Sequence, residues 1–255
     1  MPAEVRLFRC LQDNFGVLLH DSETGATASI DAPEAGPVEA ALKETGWKLT
    51  DILVTHHHAD HTQGIQALKD RYKCRVTAPA GEAAKIPAVD ATVHEGDTVK
   101  LGNLTANVIE TPGHTLGHIA YWFHKDKLAF VGDTLFSIGC GRVIEGTPAQ
   151  MWESLKKLRD LPEDTRIYCG HEYTLANIKF AVTVEPKNAA LAARQAQAAE
   201  QVEAGQATIP VTIGEEKRVN PFLRADVLEV AAQVGMAGKP AADVFTEIRA
   251  RKNKF

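Results

Sequence analysis

The densest chemistry in this 255-residue chain is the run Thr55-His56-His57-His58-Ala59-Asp60-His61, which follows the apolar segment Ile52-Leu53-Val54. Imidazole and carboxylate are the ligands that a divalent transition metal such as zinc takes. In an extended segment alternate side chains share a face, so His56 and His58 can converge on one ion while His57 points away. The residues that follow, 62–68, read as a helix, and Asp60 and His61 at its start can turn toward a second ion. Three more ligand types each follow an apolar run and a glycine: His114 after Gly113, Asp133 after Gly132, His171 after Gly170. A lone His or Asp after a strand is usually a satisfied turn residue. Three such positions beside an H-x-H-x-D-H run point instead to seven ligands for two metals, because strands of one sheet can present their ends at a common edge.

The elements that must position these residues are legible as short apolar runs. Strands are expected over 5–8, 16–19 and 27–31, with turns at 12–14 and 22–25. A helix over 38–45 ends at Gly46 and precedes the strand that delivers the histidines. Strand signals recur at 74–78, 99–101, 104–110, 119–123 and 128–131, with a short helix near 82–85. From Pro148 to Arg159 the apolar residues Met151, Trp152, Leu155 and Leu158 share one helical face. A last strand, 166–169, runs into Gly170-His171. Beyond Tyr173 the chain turns rich in alanine and glutamine, predicting a long helix over 189–204, a connector over 208–214, and helices over 226–234 and 241–251. The spacing therefore predicts a strand-rich catalytic domain over 1–172 and a helical domain over 173–255.

Composition narrows the partners. With 28 Lys and Arg against 33 Asp and Glu, the net charge of −5 argues against a nucleic-acid or anionic-membrane binder. No stretch is long and apolar enough for a signal peptide or a membrane span. Cys10, Cys74, Cys140 and Cys169 are widely and irregularly spaced, as expected of reduced, buried thiols in a cytoplasmic protein, here taken as a monomer.

The ordered set of ligands resembles the metallo-β-lactamase superfamily. The resemblance implies an α/β (α+β) fold, an αββα sandwich with a C-terminal helical domain, and a site at the sheet edges. It assigns His56, His58 and His114 to one ion and Asp60, His61 and His171 to the other, with Asp133 bridging. One carboxylate has two oxygens and can hold two ions roughly 3.5–4 Å apart. A water between them has its pKa brought to about 7, and that hydroxide, oriented with the help of Asp60, is the expected nucleophile. Zinc is the expected metal; iron and manganese tolerate the same ligands.

Further segments resemble the hydroxyacylglutathione hydrolases (glyoxalase II). They are Thr134-Leu135-Phe136-Ser137-Ile138-Gly139-Cys140-Gly141-Arg142 with Glu145-Gly146-Thr147, then Gly170-His171-Glu172-Tyr173, Val184-Glu185-Pro186-Lys187-Asn188 and Asn220-Pro221-Phe222-Leu223-Arg224. That family implies hydrolysis of a glutathione thiolester, typically S-D-lactoylglutathione, to glutathione and D-lactate in methylglyoxal detoxification. By resemblance Arg249 and Lys252, three apart on a helix, grip the glycine carboxylate of glutathione, and Arg142, Tyr173 and Asn177 contact its middle portion. Ile144 stands where the family often has an aromatic residue, and Gln63 replaces a usual glycine. The alternatives are a glutathione persulfide dioxygenase with one iron, which the complete ligand set disfavours, and an RNA-processing nuclease, which the acidic balance disfavours. A non-catalytic module on the same fold would lack ligands, and none is missing.

Overall fold

A computed structural model describes residues 3–255. The chain divides into two compact units that interleave in sequence: one holds the residues up to Glu110 and Thr115–Gly132, the other Thr111–His114 and Asp133–Phe255.

The first unit contains β1 (Ala3–Cys10), β2 (Asn14–Asp21), β3 (Thr27–Ile30), α1 (Ala35–Thr45), β4 (Asp51–Leu53), α2 (Ala59–Thr62) and α3 (Ile65–Tyr72). After these come β5 (Arg75–Pro79), β6 (Ala91–Val93), β7 (Thr98–Leu101), β8 (Leu104–Glu110), β9 (Ile119–Phe123) and β10 (Leu128–Gly132). One sheet runs β1-β2-β3-β4-β5-β6, antiparallel as far as β3 and parallel beyond it. The inner strand β4 is apolar at Ile52 and Leu53 without alternation, as expected for a parallel strand covered on both faces. On this sheet Val38, Ala41 and Leu42 of α1 and Ile65 and Leu68 of α3 pack with Ile52, Val54 and Val76. A second sheet has the antiparallel order β10-β9-β8-β7. Its buried Tyr121 donates to the carbonyl of Val54, 2.9 Å away, tying β9 to the residue after β4. Burial pushes that phenol well above its usual pKa, so it stays a donor.

The second unit contains the hairpin β11 (Leu135–Phe136) and β12 (Gly139–Cys140), then α4 (Pro148–Arg159), β13 (Arg166–Cys169), α5 (Thr174–Val184) and α6 (Ala189–Glu203). It ends with β14 (Val211–Thr212), α7 (Ile213–Val219), α8 (Leu228–Gln233) and α9 (Ala241–Lys254). Helix α4 begins with a Thr147–Gln150 capping box and Pro148, and buries the four apolar residues its periodicity marked. Asn188 caps α6 by accepting from the N–H groups of Ala190 and Leu191. Ile138 packs with Ile178, Leu191 and Val219 in the core of the helices.

The mixed architecture of two sheets followed by a helical region agrees with the expectation. Some elements differ in detail. Helix α5 was not expected: it is buried on several sides and rich in β-branched residues, so it carries no clean helical periodicity. Most of α7 lies beyond the expected connector; its sequence signal is the capping box of Thr212 and Glu215.

Glu216 on α7 is fully buried, and burial pushes its carboxyl from the usual 4.5 up to about 7, against the lowering pull of Ile138 N–H, the Asn220 amide and Arg194. The folded chain thus keeps a proton that the unfolded chain releases near 4.5, so stability drops as pH rises to about 7 and is level above it. Glu216→Gln removes that penalty. Its thermal midpoint should match the parent's near pH 4 and exceed it at pH 8 by on the order of 3 kcal/mol in unfolding free energy. Equal midpoints at both pH values would contradict this.

Candidate metal centre

The ligand candidates divide between the units, and each group has its own geometry. In the first unit, β4 hands the chain to Val54, Thr55 and His56, and α2 begins three residues later. Asp31, just after β3, organises this stretch. Its Oδ1 accepts the N–H of Thr55 at 2.7 Å. Its Oδ2 accepts the Thr55 hydroxyl at 2.8 Å and Nδ1–H of His61 at 2.8 Å. With its proton given to Asp31, the Thr55 oxygen accepts from Nδ1 of His56 at 3.0 Å. One buried carboxylate therefore fixes the tautomer of both rings and presents Nε2 of each toward a metal. Asp31, His56 and His61 lie close enough to be taken for a ligand triplet. The three donors on the two Asp31 oxygens make it the support of the ligands instead.

The rest of the group is held as closely. The His56 ring centroid lies 4.8 Å from that of His58 and 4.1 Å from that of His61. Asn14 donates to both the backbone carbonyl and the side chain of Asp60, at 3.1 and 3.2 Å. His57 points away, as alternation predicts, and is caught by buried Glu82 through its N–H at 2.7 Å and its ring Nδ1 at 2.8 Å. His118 stacks on His56 at 4.8 Å. Gly132 explains why β10 ends without a side chain: at φ +47°, a Cβ there would sit 2.6 Å from Thr55 Oγ1 and 2.7 Å from His118 Nε2.

In the second unit Asp133 stands between two histidines. The same oxygen, Oδ2, lies 3.4 Å from His114 Nε2 and 3.3 Å from His171 Nε2. Nδ1–H of His114 donates to the carbonyl of Arg142 at 2.8 Å, which again leaves Nε2 for a metal. Gly141 approaches Asp133 so closely that a Cβ would lie 1.9 Å from its carbonyl oxygen. Tyr173 stacks flat on His171, with centroids 4.8 Å apart.

The expected substrate residues are placed as follows. Arg142 is exposed and Tyr173 half-buried. Asn177 is buried and donates to the carbonyl of Ser137 at 3.1 Å, so it holds the β11–β12 turn. Arg249 is buried and donates to the carbonyl of Cys140 at 3.0 Å, with its guanidinium over Phe222. Lys252 donates to the carbonyl of Ala176 at 3.0 Å, and burial and the Arg249 charge lower its pKa. Ile144 is 56% exposed. Cys140 and Cys169 are buried thiols pushed up to about 11 and about 12 by desolvation, which keeps them protonated near neutral pH.

Residues 21–171 match the model of the metallo-beta-lactamase superfamily, and residues 172–255 match that of the hydroxyacylglutathione hydrolase C-terminus. A hydroxyacylglutathione hydrolase of Rhodopseudomonas palustris (strain BisB5) is 63% identical over 253 residues, covering 99% of each chain. The chain belongs to the hydroxyacylglutathione hydrolase family. It is accordingly an enzyme, a hydrolase with a metallo-beta-lactamase fold. A relative of the same name from Nitrobacter hamburgensis is 61% identical over 254 residues, all of both chains. Among solved structures, ETHE1 from Myxococcus xanthus superposes with a TM-score of 0.71 at 27% identity, covering 98% of this chain and 91% of that one. Among the described residues no helix is long and apolar enough to cross a membrane.

Asp31 is the functional residue that motif reading missed, although it ends an apolar strand just as Asp133 does. Asp31→Asn cannot accept from all three donors. The variant should fold while its metal affinity, measured by chelator competition, falls about 10–100-fold. Unchanged affinity would contradict the assigned role.

Proposed function

We propose that the chain hydrolyses S-(2-hydroxyacyl)glutathione thiolesters, S-D-lactoylglutathione above all, to glutathione and the 2-hydroxy acid (D-lactate), as a step in methylglyoxal detoxification. The observation that carries this is full-length identity of 57–63% to curated relatives named hydroxyacylglutathione hydrolase. The donor set fits a metal. For bonds of about 2.0–2.1 Å, neighbouring ligands of a tetrahedral ion stand about 3.3 Å apart. Asp133 Oδ2 has that spacing from both His114 and His171. Asp133 could therefore share an ion with either histidine. In the proposed dinuclear centre His56, His58 and His114 hold one ion, Asp60, His61 and His171 the other, and Asp133 both. Zinc is the proposed metal, with iron and manganese acceptable to the same donors.

When bound, the ions supply Lewis acidity to the thiolester carbonyl and to an attacking water. The chain's own groups do the rest. Asp31 and the Arg142 carbonyl hold three imidazoles in the metal-binding tautomer, and Asn14 fixes Asp60, whose carboxylate orients the nucleophile. Cations must recruit an anionic substrate to a protein of net charge −5. Arg142 and Tyr173 are the proposed contacts to the middle of glutathione, with Asn177 serving through the turn it holds. Arg249 and Lys252 take the glycine carboxylate: Nη1 of Arg249 is committed to Cys140 and Nε to Asn253, which leaves Nη2. A thiolate leaves readily, so no strong general acid is needed.

The meeting of the two family matches at residues 171 and 172 supports a catalytic part over 1–172 and a helical substrate-binding part over 173–255. The enzyme is proposed to act as a cytoplasmic monomer, without nucleic-acid or membrane partners.

Hydrolysis of S-D-lactoylglutathione by the metal-loaded chain tests the reading. Because Arg249 is buried and pins a carbonyl of the hairpin, while Lys252 is only half-buried, Lys252→Ala is the cleaner probe of the clamp. It should raise KM about tenfold, the cost of a lost charge-assisted contact of about 1.4 kcal/mol, with kcat little changed. Turnover with an unaltered KM would discard the clamp, and no turnover by the loaded parent would discard the reaction.

A further inference from the structure

The hairpin β11–β12 leaves Asp133 and returns to Arg142, and no strand flanks its tip among the described residues. Its turn is Ser137-Ile138, with Ile138 at φ +58°, a region that β-branched residues avoid. The Ile138 side chain is buried among the helices, so its N–H needs a buried acceptor. Oε2 of Glu216 on α7 supplies it at 2.8 Å and also accepts from the Asn220 amide at 2.8 Å. That amide reaches the carbonyls of Gly139 at 2.9 Å and Phe136 at 3.3 Å. Glu216 and Asn220 are both 0% exposed.

We infer that Glu216 and Asn220 are positioning residues of the hydrolysis, holding the hairpin tip so that Asp133 and Arg142 at its two ends keep their places. This rests on the hydrolase reading. The hairpin is a short lever. The N–H of Gly141 closes its base on the carbonyl of Thr134 at 3.1 Å, and the next carbonyl, that of Arg142, orients His114. Asn177 from α5 and Arg249 from α9 hold the carbonyls of Ser137 and Cys140. The tip is thus gripped by side chains, Glu216 accepting the N–H of Ile138 and the Cys169 sulfur that of Ser137. Releasing that bond lets the turn leave the left-handed region, and only the two-pair ladder of the hairpin lies between the tip and Asp133. A buried carboxylate is a costly way to satisfy one amide, unless one oxygen must take Ile138 and Asn220 together.

The test compares Glu216→Ala with Glu216→Gln, which keeps an oxygen for both donors. Steady-state hydrolysis of S-D-lactoylglutathione by the metal-loaded chain is read alongside amide hydrogen exchange of peptides covering 134–142. Glu216→Ala should lower kcat at least tenfold and speed exchange of the hairpin peptides at least tenfold, with peptides of β1 to β5 unchanged. Glu216→Gln should bring both back to within about threefold of the parent. A folded Glu216→Ala chain with only a lower melting point, its kcat and hairpin exchange intact, would overturn the inference. So would a Gln variant as impaired as Ala. Should Glu216→Ala not fold, Asn220→Ala carries the same comparison, with the same outcomes for and against. If the parent fails to turn over the thiolester, the hydrolase reading falls alone and the exchange rates decide the clamp.

Discussion

The carboxylate of Asp31 accepts three donors at once, and much of the chemistry depends on that arrangement. A histidine can bind a metal only through a nitrogen that carries no proton, so its other nitrogen must be held by an acceptor. Asp31 does this directly for His61 and through the Thr55 hydroxyl for His56. It also fixes the backbone at Thr55, where the chain leaves β4. Asp31 itself sits at φ +55°, strained for a residue with a side chain. The parallel strands β3 and β4 bring residues 31 and 55 side by side, and the apolar packing of α1 and α3 holds those strands in place.

The proposed ligands are legible because they are local. H-x-H-x-D-H carries its meaning in six consecutive residues, and each remaining candidate follows an apolar run and a glycine. Gly132 shows the physical content of that pattern, since no side chain fits between Thr55 and His118. Most strands and the outer helices were equally clear from period and composition. What the sequence hid was non-local. Asp31 and Glu82 look like ordinary acids until the fold brings them to residues 55–61. Helix α5 escaped because burial on several sides erases amphipathic periodicity.

The helical region has more work than its position in sequence suggests. Arg249, by resemblance a grip for the glycine carboxylate of glutathione, is buried against a backbone carbonyl of the hairpin. Asn177 likewise reaches a carbonyl of the turn. Residues far along the chain therefore act on the loop that follows Asp133, which ties the proposed substrate contacts and the proposed bridging ligand into one mechanical assembly. This explains why segments such as Asn220-Pro221-Phe222-Leu223-Arg224 carry a family signature without bearing any catalytic group: Asn220 fastens the hairpin, and Arg224 pairs with Glu185 at 3.0 Å.

The proposal on which the account turns is that seven side chains would hold two ions with Asp133 shared between them. The most direct measurement is the metal content of the purified, metal-loaded and dialysed chain by elemental analysis, beside Asp133→Ala. The account predicts two ions per parent chain and one or fewer in the variant, because removing the shared carboxylate would weaken both positions. A parent that retains a single ion, or a variant that still retains two, would contradict it.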